Sequence, residues 1–364
     1  MTGPTAPASR VQRVVLFDED DPLVLACGRS LAPVEVAYAT YGTLDDERSN
    51  AVFVCHALTG DAEAGSWWDV MVGPGRPIDT DRCFVVCANL LGGCQGTTGP
   101  SSIDPRTGRP YGLGFPPIAV ADLVAVHRRL LAHLGIERLR AAIGGSLGGM
   151  QVLQWMLDAP GEIGDAVIIA ASSRLSAQNI ALSAVARHAI LGDPDFHGGQ
   201  YAVHGVRPAH GLAVARRLGH ITYLSDDGMA RKFARDEPEG WERVADGARW
   251  LGPAYDVESY LEYQASTFLE RFDALSYLYL TRVMDAFDPF ARDPRVDPAA
   301  RALVLSFDSD WRFGTEHSVR LAAGLRAAGA AEVREAVVSS PWGHDSFLLD
   351  VPGYLDEVRG FLEA

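Results

Sequence analysis

The stretch LRAAIGGSLGGMQVLQWML (Leu139–Leu157) decides the fold. Leu139 to Ile143 is a short apolar run of strand character. Met150 to Leu157 repeats apolar residues at helical spacing and ends near Pro160. Between them lies Gly144-Gly145-Ser146-Leu147-Gly148-Gly149, which contains G-x-S-x-G. A serine on a tight strand-to-helix turn adopts a strained backbone, and small residues two positions either side avoid clashes there. The turn exposes the hydroxyl at the helix N-terminus, and the N–H of Leu147 is then free to face an oxyanion. Ser146 is therefore the candidate nucleophile.

Working outward, the same alternation recurs. Ala51 to His56 (AVFVCH) and Cys83 to Asn89 (CFVVCAN) are apolar runs ending in polar loops. Asp122 to Leu134 has helical spacing, with Gly135 as a stop. Asp165 to Ala171 is another buried strand. From Ser176 to Asp288 no strong strand run appears, and helical patterning takes over. Ala302 to Phe307 returns as a strand, Val319 to Ala328 as a helix, Val337 to Val338 as a short strand, and Pro352 to Leu362 as a terminal helix. Apolar strands alternating with helices predict a mostly parallel sheet covered on both faces. The economical organisation is one discontinuous α/β core, residues 1–175 and 297–364, interrupted by a helical insertion at 176–296. The first ten residues read as a loose tail.

A serine hydroxyl is a weak nucleophile until a base takes its proton. On such a core the partners follow in the order serine, acid, histidine. Asp308-Ser309-Asp310 follows the strand ending at Phe307, and both aspartates qualify. His344, in Pro341-Trp342-Gly343-His344-Asp345, is the last histidine of the chain. Its rival His317 sits beside Glu316 at a helix start and reads as solvated. A second oxyanion donor is expected from the loop after an early strand, and the backbone N–H of Leu58 in His56-Ala57-Leu58-Thr59-Gly60 is placed for it. His56 reads as a structural hydrogen-bonding residue.

Composition excludes several other classes. The 364 residues are 48% apolar and 22% charged, values of an ordinary globular chain with a sizeable core. With 32 Lys and Arg against 47 Asp and Glu, the net charge of −15 argues against nonspecific nucleic-acid binding and docking on anionic membranes. Met1 to Arg13 lacks the apolar core of a signal peptide, and no run of 18 apolar residues occurs. Five sparse cysteines suit a reduced, cytoplasmic protein. Cys83 and Cys87 read as buried strand thiols, and no metal site is expected.

Longer motifs carry a more specific resemblance. CHALTGDAEA (Cys55–Ala64), NLLGGCQGTTGPSS (Asn89–Ser102), IGGSLGGMQVLQW (Ile143–Trp155), GLAVARRLGHITYLSD (Gly211–Asp226), SYLYLTRVMDAFD (Ser276–Asp288) and GHDSFLLD (Gly343–Asp350) resemble the homoserine O-acetyltransferases along nearly the whole chain. These are α/β-hydrolase-fold acyltransferases of methionine biosynthesis. The resemblance implies Ser146 as nucleophile, His344 as base and Asp310 rather than Asp308 as acid. It places the oxyanion donors on the Leu58 and Leu147 backbones. It implies that Arg216 grips the homoserine carboxylate with Tyr223 nearby, that Asp345 meets the ammonium, and that the insertion is a lid through which a homodimer forms. Taken alone, Arg216 belongs to a basic run that reads as a solvated helix face, and Asp345 equally reads as a helix cap.

The activity so implied transfers the acetyl group of acetyl-CoA to L-homoserine through an acyl-serine, with no bound cofactor. The HALTGD run favours acetyl over succinyl. Succinyl-CoA as donor, serine as acceptor, and a plain esterase or thioesterase are the competing readings, and a hydrolase has no reason to keep Arg216. Gly92 to Gly99 reads as a rigid wall of the acyl pocket. The run Trp311-Arg312-Phe313-Gly314-Thr315 departs from the family, which has a hydrophobic residue and prolines after the acid, and Arg312 there is expected to shift the loop or lower the pKa of the acid.

Overall fold

The computed structural model of the chain describes residues 11–233, 246–252, 255–292 and 294–364. The expected tail, residues 1–10, lies outside them. Eight strands form the main sheet. Numbered alone in chain order they are β1 (Gln12–Phe17), β2 (Val34–Tyr41), β3 (Ala51–Cys55), β4 (Phe84–Ala88), β5 (Leu139–Gly145), β6 (Ile163–Ile169), β7 (Arg301–Phe307) and β8 (Glu332–Val338). Their spatial order is β1-β2-β4-β3-β5-β6-β7-β8. Strand β2 runs antiparallel to both β1 and β4, and the pairs from β4 through β8 are parallel. This is the mostly parallel sheet that the strand patterning predicts.

The central strands are apolar because both faces are covered. Every residue of Ala51–Cys55 is buried, as are the last six of Arg301–Phe307. One face packs helices α1 (Val120–His133) and α2 (Leu147–Asp158), with Leu123, Leu130, Val152 and Trp155 fully buried. The other face packs Val54, Ile143, Val167 and Leu305 against Trp68 and the C-terminal helix, residues 354–363. The edge strand β8 is different. Its residues are half-buried or exposed, which is why only Val337 and Val338 stand out in the sequence.

Residues 177–292 contribute helices and no strand to the described structure. The longer ones are α3 (Ala177–Leu191), α4 (Ala209–Tyr223), α5 (Asp256–Arg271) and α6 (Ala274–Asp285). Arg187 of α3 and Asp285 of α6 form a buried ion pair at 2.6 Å that ties these two helices together. Helix α7 (Thr315–Ala327) then returns the chain to the sheet. Strand ends β3, β5 and β7 point their C-terminal loops toward the helical segment, where parallel sheets carry their ligands.

Candidate active site

Ser146 sits at the turn between β5 and α2 with φ 58° and ψ −123°, a backbone conformation serine adopts only when its surroundings force it. The force is visible in the glycines. A Cβ on Gly144 would run into the backbone of Gly148, and one on Gly148 into the carbonyl of Cys55. The turn thus packs directly on the end of β3. Ser146 borders a cavity of about 170 Å³ that also receives Leu58, Arg216, Tyr223, His344 and Asp345. Leu147 is buried, and its N–H belongs to the first residue of α2.

His344 lies on a short 3₁₀ helix, Gly343–Leu348, and its Nδ1–H donates to Asp310 Oδ2 at 2.7 Å. The other carboxylate oxygen of Asp310 accepts the backbone N–H groups of Arg312 (2.9 Å) and Phe313 (2.8 Å). Burial opposes ionisation of Asp310, but His344 and these two amides outweigh it and hold the carboxyl below its ordinary value. Asp308 points elsewhere and accepts the N–H of Ser340. Of the two aspartates left open by the residue pattern, only Asp310 meets the histidine. Arg312 acts on Asp310 through its backbone amide. Its guanidinium turns away, donates to Thr222 Oγ1 at 2.9 Å and lines the cavity while remaining buried.

The loop after β3 is held by a buried polar network. His56 Nδ1–H donates to Ala57 O at 2.7 Å, and its Nε2 accepts from Leu90 N and Asn89 Nδ2, both at 3.2 Å. An amide can only donate, so the proton of this neutral ring is on Nδ1. Burial pushes the His56 pKa down to about 4, against the pull of the Ala57 carbonyl. The consequence is directional. Ala57 O and Leu58 N–H share one planar trans peptide, so drawing the carbonyl toward His56 turns the N–H the opposite way. Gln151 adds a second constraint. Its Nε2 donates to both His56 O and Leu147 O at 3.0 Å, and its Oε1 accepts from His127 Nε2 at 2.8 Å. One side chain thereby ties the Leu58 loop to the Ser146 turn. His56 plays the structural part expected of it, whereas Gln151 was not anticipated.

Helix α4 presents Arg216, His220 and Tyr223 on one face, at spacings of four and three residues. The basic run therefore divides. Arg217 pairs with Glu262 at 2.8 Å, whereas Arg216 lies on the cavity over the Phe268 ring, its buried Nε without a hydrogen-bond partner among the described residues. Burial raises the pKa of Asp345, against the pull of His344, Arg216 and Lys232. The cavity so holds a guanidinium and a carboxylate that do not pair with each other. His220 was missed in the sequence, although it stands one helical turn beyond Arg216.

Two expectations need correction. His317 is not solvated: it is buried, with Nδ1 2.7 Å from Ser172 Oγ, because its helix start tucks under the β6 loop. Residues 92–99 do not line the cavity around Ser146. Thr97 and Thr98 instead bond to β2 through Ala37 N, Glu35 N and Glu35 O, so this glycine-rich loop covers the sheet beside β4.

Comparison with known proteins agrees with this architecture. The family model of the α/β-hydrolase fold matches residues 50–351. A homoserine O-succinyltransferase from Nocardioides sp. is 56% identical over 96% of this chain and 97% of its own. The crystal structure of homoserine O-acetyltransferase from Bacillus anthracis superposes with a TM-score of 0.86 at 25% identity, covering 98% of each chain. Esterase E22 superposes with a TM-score of 0.83 at 26% identity over 98% of this chain and 99% of its own. Fold, motifs and whole-chain relatives converge, and the chain belongs to the homoserine O-acyltransferases, acyl-transferring enzymes built on the α/β-hydrolase fold.

Proposed function

We propose that the chain acylates the hydroxyl of L-homoserine from succinyl-CoA through an acyl-enzyme on Ser146. His344 takes the Ser146 proton as Oγ attacks the thioester, and Asp310 holds the ring and offsets its positive charge. The N–H groups of Leu58 and Leu147 receive the oxyanion, at roughly 3 kcal/mol of transition-state stabilisation per donor. The tetrahedral intermediate collapses, the proton passes to the departing CoA sulfur, and an ester remains on Ser146. Homoserine then enters with its carboxylate toward Arg216 and its ammonium toward Asp345. His344 takes the hydroxyl proton, the new ester forms, and the proton returns to Ser146. No bound cofactor enters these steps. Residues 176–296 act as a lid that limits water, and Val185, Leu191 and Val203, exposed on that segment, suit the homodimer face. Five unpaired cysteines suit a cytoplasmic location.

The donor reading departs from the acetyl preference of the HALTGD run, and the buried guanidinium of Arg312 carries it. Among the described residues Arg312 has no carboxylate partner, and it shares the cavity with Ser146. A methyl-ended acyl group leaves that charge desolvated, whereas a succinyl carboxylate answers it. Relatives of both donor names share the fold.

The test is release of CoA thiol from succinyl-CoA and acetyl-CoA, each with and without L-homoserine. Succinyl-CoA turnover that needs both homoserine and Ser146, and a succinyl-to-acetyl preference that drops about tenfold or more in Arg312→Leu, is the expected result. Turnover with acetyl-CoA alone restores the acetyl donor. Steady release without acceptor means a thioesterase.

A further inference from the structure

Among the polar groups of the cavity, His220 has no assigned task. It is 6% exposed, its ring borders the cavity, and its Nε2 is buried with no hydrogen-bond partner among the described residues. Orphaned buried groups of this kind are rare, and one that borders a cavity points to a ligand atom that completes it. The ring is firmly placed. Its Nδ1 lies 3.0 Å from the Tyr260 hydroxyl, and Tyr223 and Tyr260 pack edge-on against it at 5.8 and 5.5 Å. Tyr260 comes from α5, so two helices of the insertion fix one imidazole.

We infer that His220 is a third contact for the acceptor amino acid, its Nε2–H donating to the α-carboxylate beside Arg216. The inference rests on the acyl-serine reading and adds the residue that reads the acceptor's acid group. Arg216 stands one turn earlier on the same helix face, and its Nε–H is also buried and unpartnered. Two adjacent orphan donors match the two oxygens of one carboxylate. The ammonium has a different place, because the acidic group of the cavity is Asp345.

The proton inventory follows. A neutral imidazole has one N–H and one lone pair. Among the described residues the Tyr260 hydroxyl has no partner other than His220. When it donates to Nδ1, the ring proton sits on Nε2, where the carboxylate needs a donor. Burial, with Arg216 and Lys232 nearby, keeps the ring neutral, its pKa pushed down to about 3. Across the pH range of catalysis His220 therefore serves as a hydrogen-bond donor without a charge of its own.

The experiment compares wild type, His220→Asn and Tyr260→Phe in two readouts. One is the pre-steady-state burst of CoA from the acyl-CoA alone. The other is steady-state KM with L-homoserine and with 3-aminopropan-1-ol, which keeps the ammonium and hydroxyl but lacks the carboxylate. The expected result is an unchanged burst and an unchanged KM for acyl-CoA. In His220→Asn the KM for homoserine rises about tenfold or more, in Tyr260→Phe it rises less, and neither variant shows a penalty with 3-aminopropan-1-ol. Equal losses with both acceptors, or an unchanged homoserine KM with a normal burst, overturns the assignment alone. A wild type without any Ser146-dependent burst overturns the acyl-serine reading and the assignment with it.

Discussion

Replacing Gln151 with Met tests whether the oxyanion geometry is set from behind. Met keeps the length and volume of the side chain but removes its amide. Two buried partners are then stranded: the carbonyl of His56, 3.0 Å from Nε2, and His127 Nε2, 2.8 Å from Oε1, while the Leu147 carbonyl loses its bond to Nε2 but keeps its helical N–H. Unsatisfied buried groups cost about 1–3 kcal/mol each before relaxation, so a total loss of roughly 2–6 kcal/mol is expected, against a typical stability of about 5–15 kcal/mol. The functional loss is separate. Gln151 joins the loop of one proposed oxyanion donor to the turn of the other, so their spacing is expected to loosen without either N–H being removed. A whole donor is worth about 3 kcal/mol, and half of that slows acylation about tenfold. The assay is the rate of the CoA burst under saturating acyl-CoA, at a temperature where circular dichroism shows the variant folded. A folded Gln151→Met that acylates at the wild-type rate refutes the argument, because the network would then be structural only.

Two further outcomes follow from buried charge. His56 and His127 are both held neutral by burial, their pKa values pushed down to about 4. The unfolded chain binds protons near pH 6.5 where the folded one does not, so stability is full above that value and is lost as pH falls toward 4. The loss is on the order of 3 kcal/mol for each ring, and urea midpoints measured from pH 7 to pH 4.5 check its sign. Asp285→Asn leaves the buried Arg187 unpaired and is expected to destabilise by about 3–5 kcal/mol, whereas Arg187→Met with Asp285→Leu recovers most of that loss in the same titration.

The parts of the molecule legible in the sequence are those whose physics is periodic or spaced. Glycines two residues either side of Ser146 announce the turn because the backbones of Gly148 and Cys55 leave no room for a Cβ. The central strands are legible because both their faces are buried. Strand β8 shows only its last two residues, since its exposed edge position favours a mixed composition. Strands β1 and β2 escape the reading because an antiparallel edge carries alternating Gln, Arg and Glu among its apolar residues. In the site, the order of serine, acid and histidine is legible, but spacing leaves Asp308 and Asp310 open; the resemblance selects Asp310, and the structure sets it rather than Asp308 against His344. Arg216 and Arg217 are neighbours in sequence and the run alone does not separate them; the resemblance names Arg216, and the helix phase sets it rather than Arg217 on the cavity. Gln151 carries no local signal, because a polar residue sealed inside a fold looks like one on its surface, and His220 shows only its four-residue spacing from Arg216.

The same core serves hydrolases and transferases, and the difference must lie in what surrounds Ser146. Esterase E22 superposes along nearly the whole length, so the sheet, the turn and the inserted helices do not by themselves select the acceptor. An acyl-serine is open to attack by water, which far exceeds any metabolite in concentration. Two effects work against it. A cavity of about 170 Å³ admits few waters, and an acceptor held at both its charged ends gains an effective molarity that reaches roughly 10⁵ M or more when its hydroxyl is aligned. Both depend on the face of α4 and on Asp345 rather than on the nucleophile. Under the proposed acceptor binding, transferase chemistry is a property of the acceptor subsite, and loosening Arg216, His220 or Asp345 is expected to turn the acyl-enzyme toward hydrolysis.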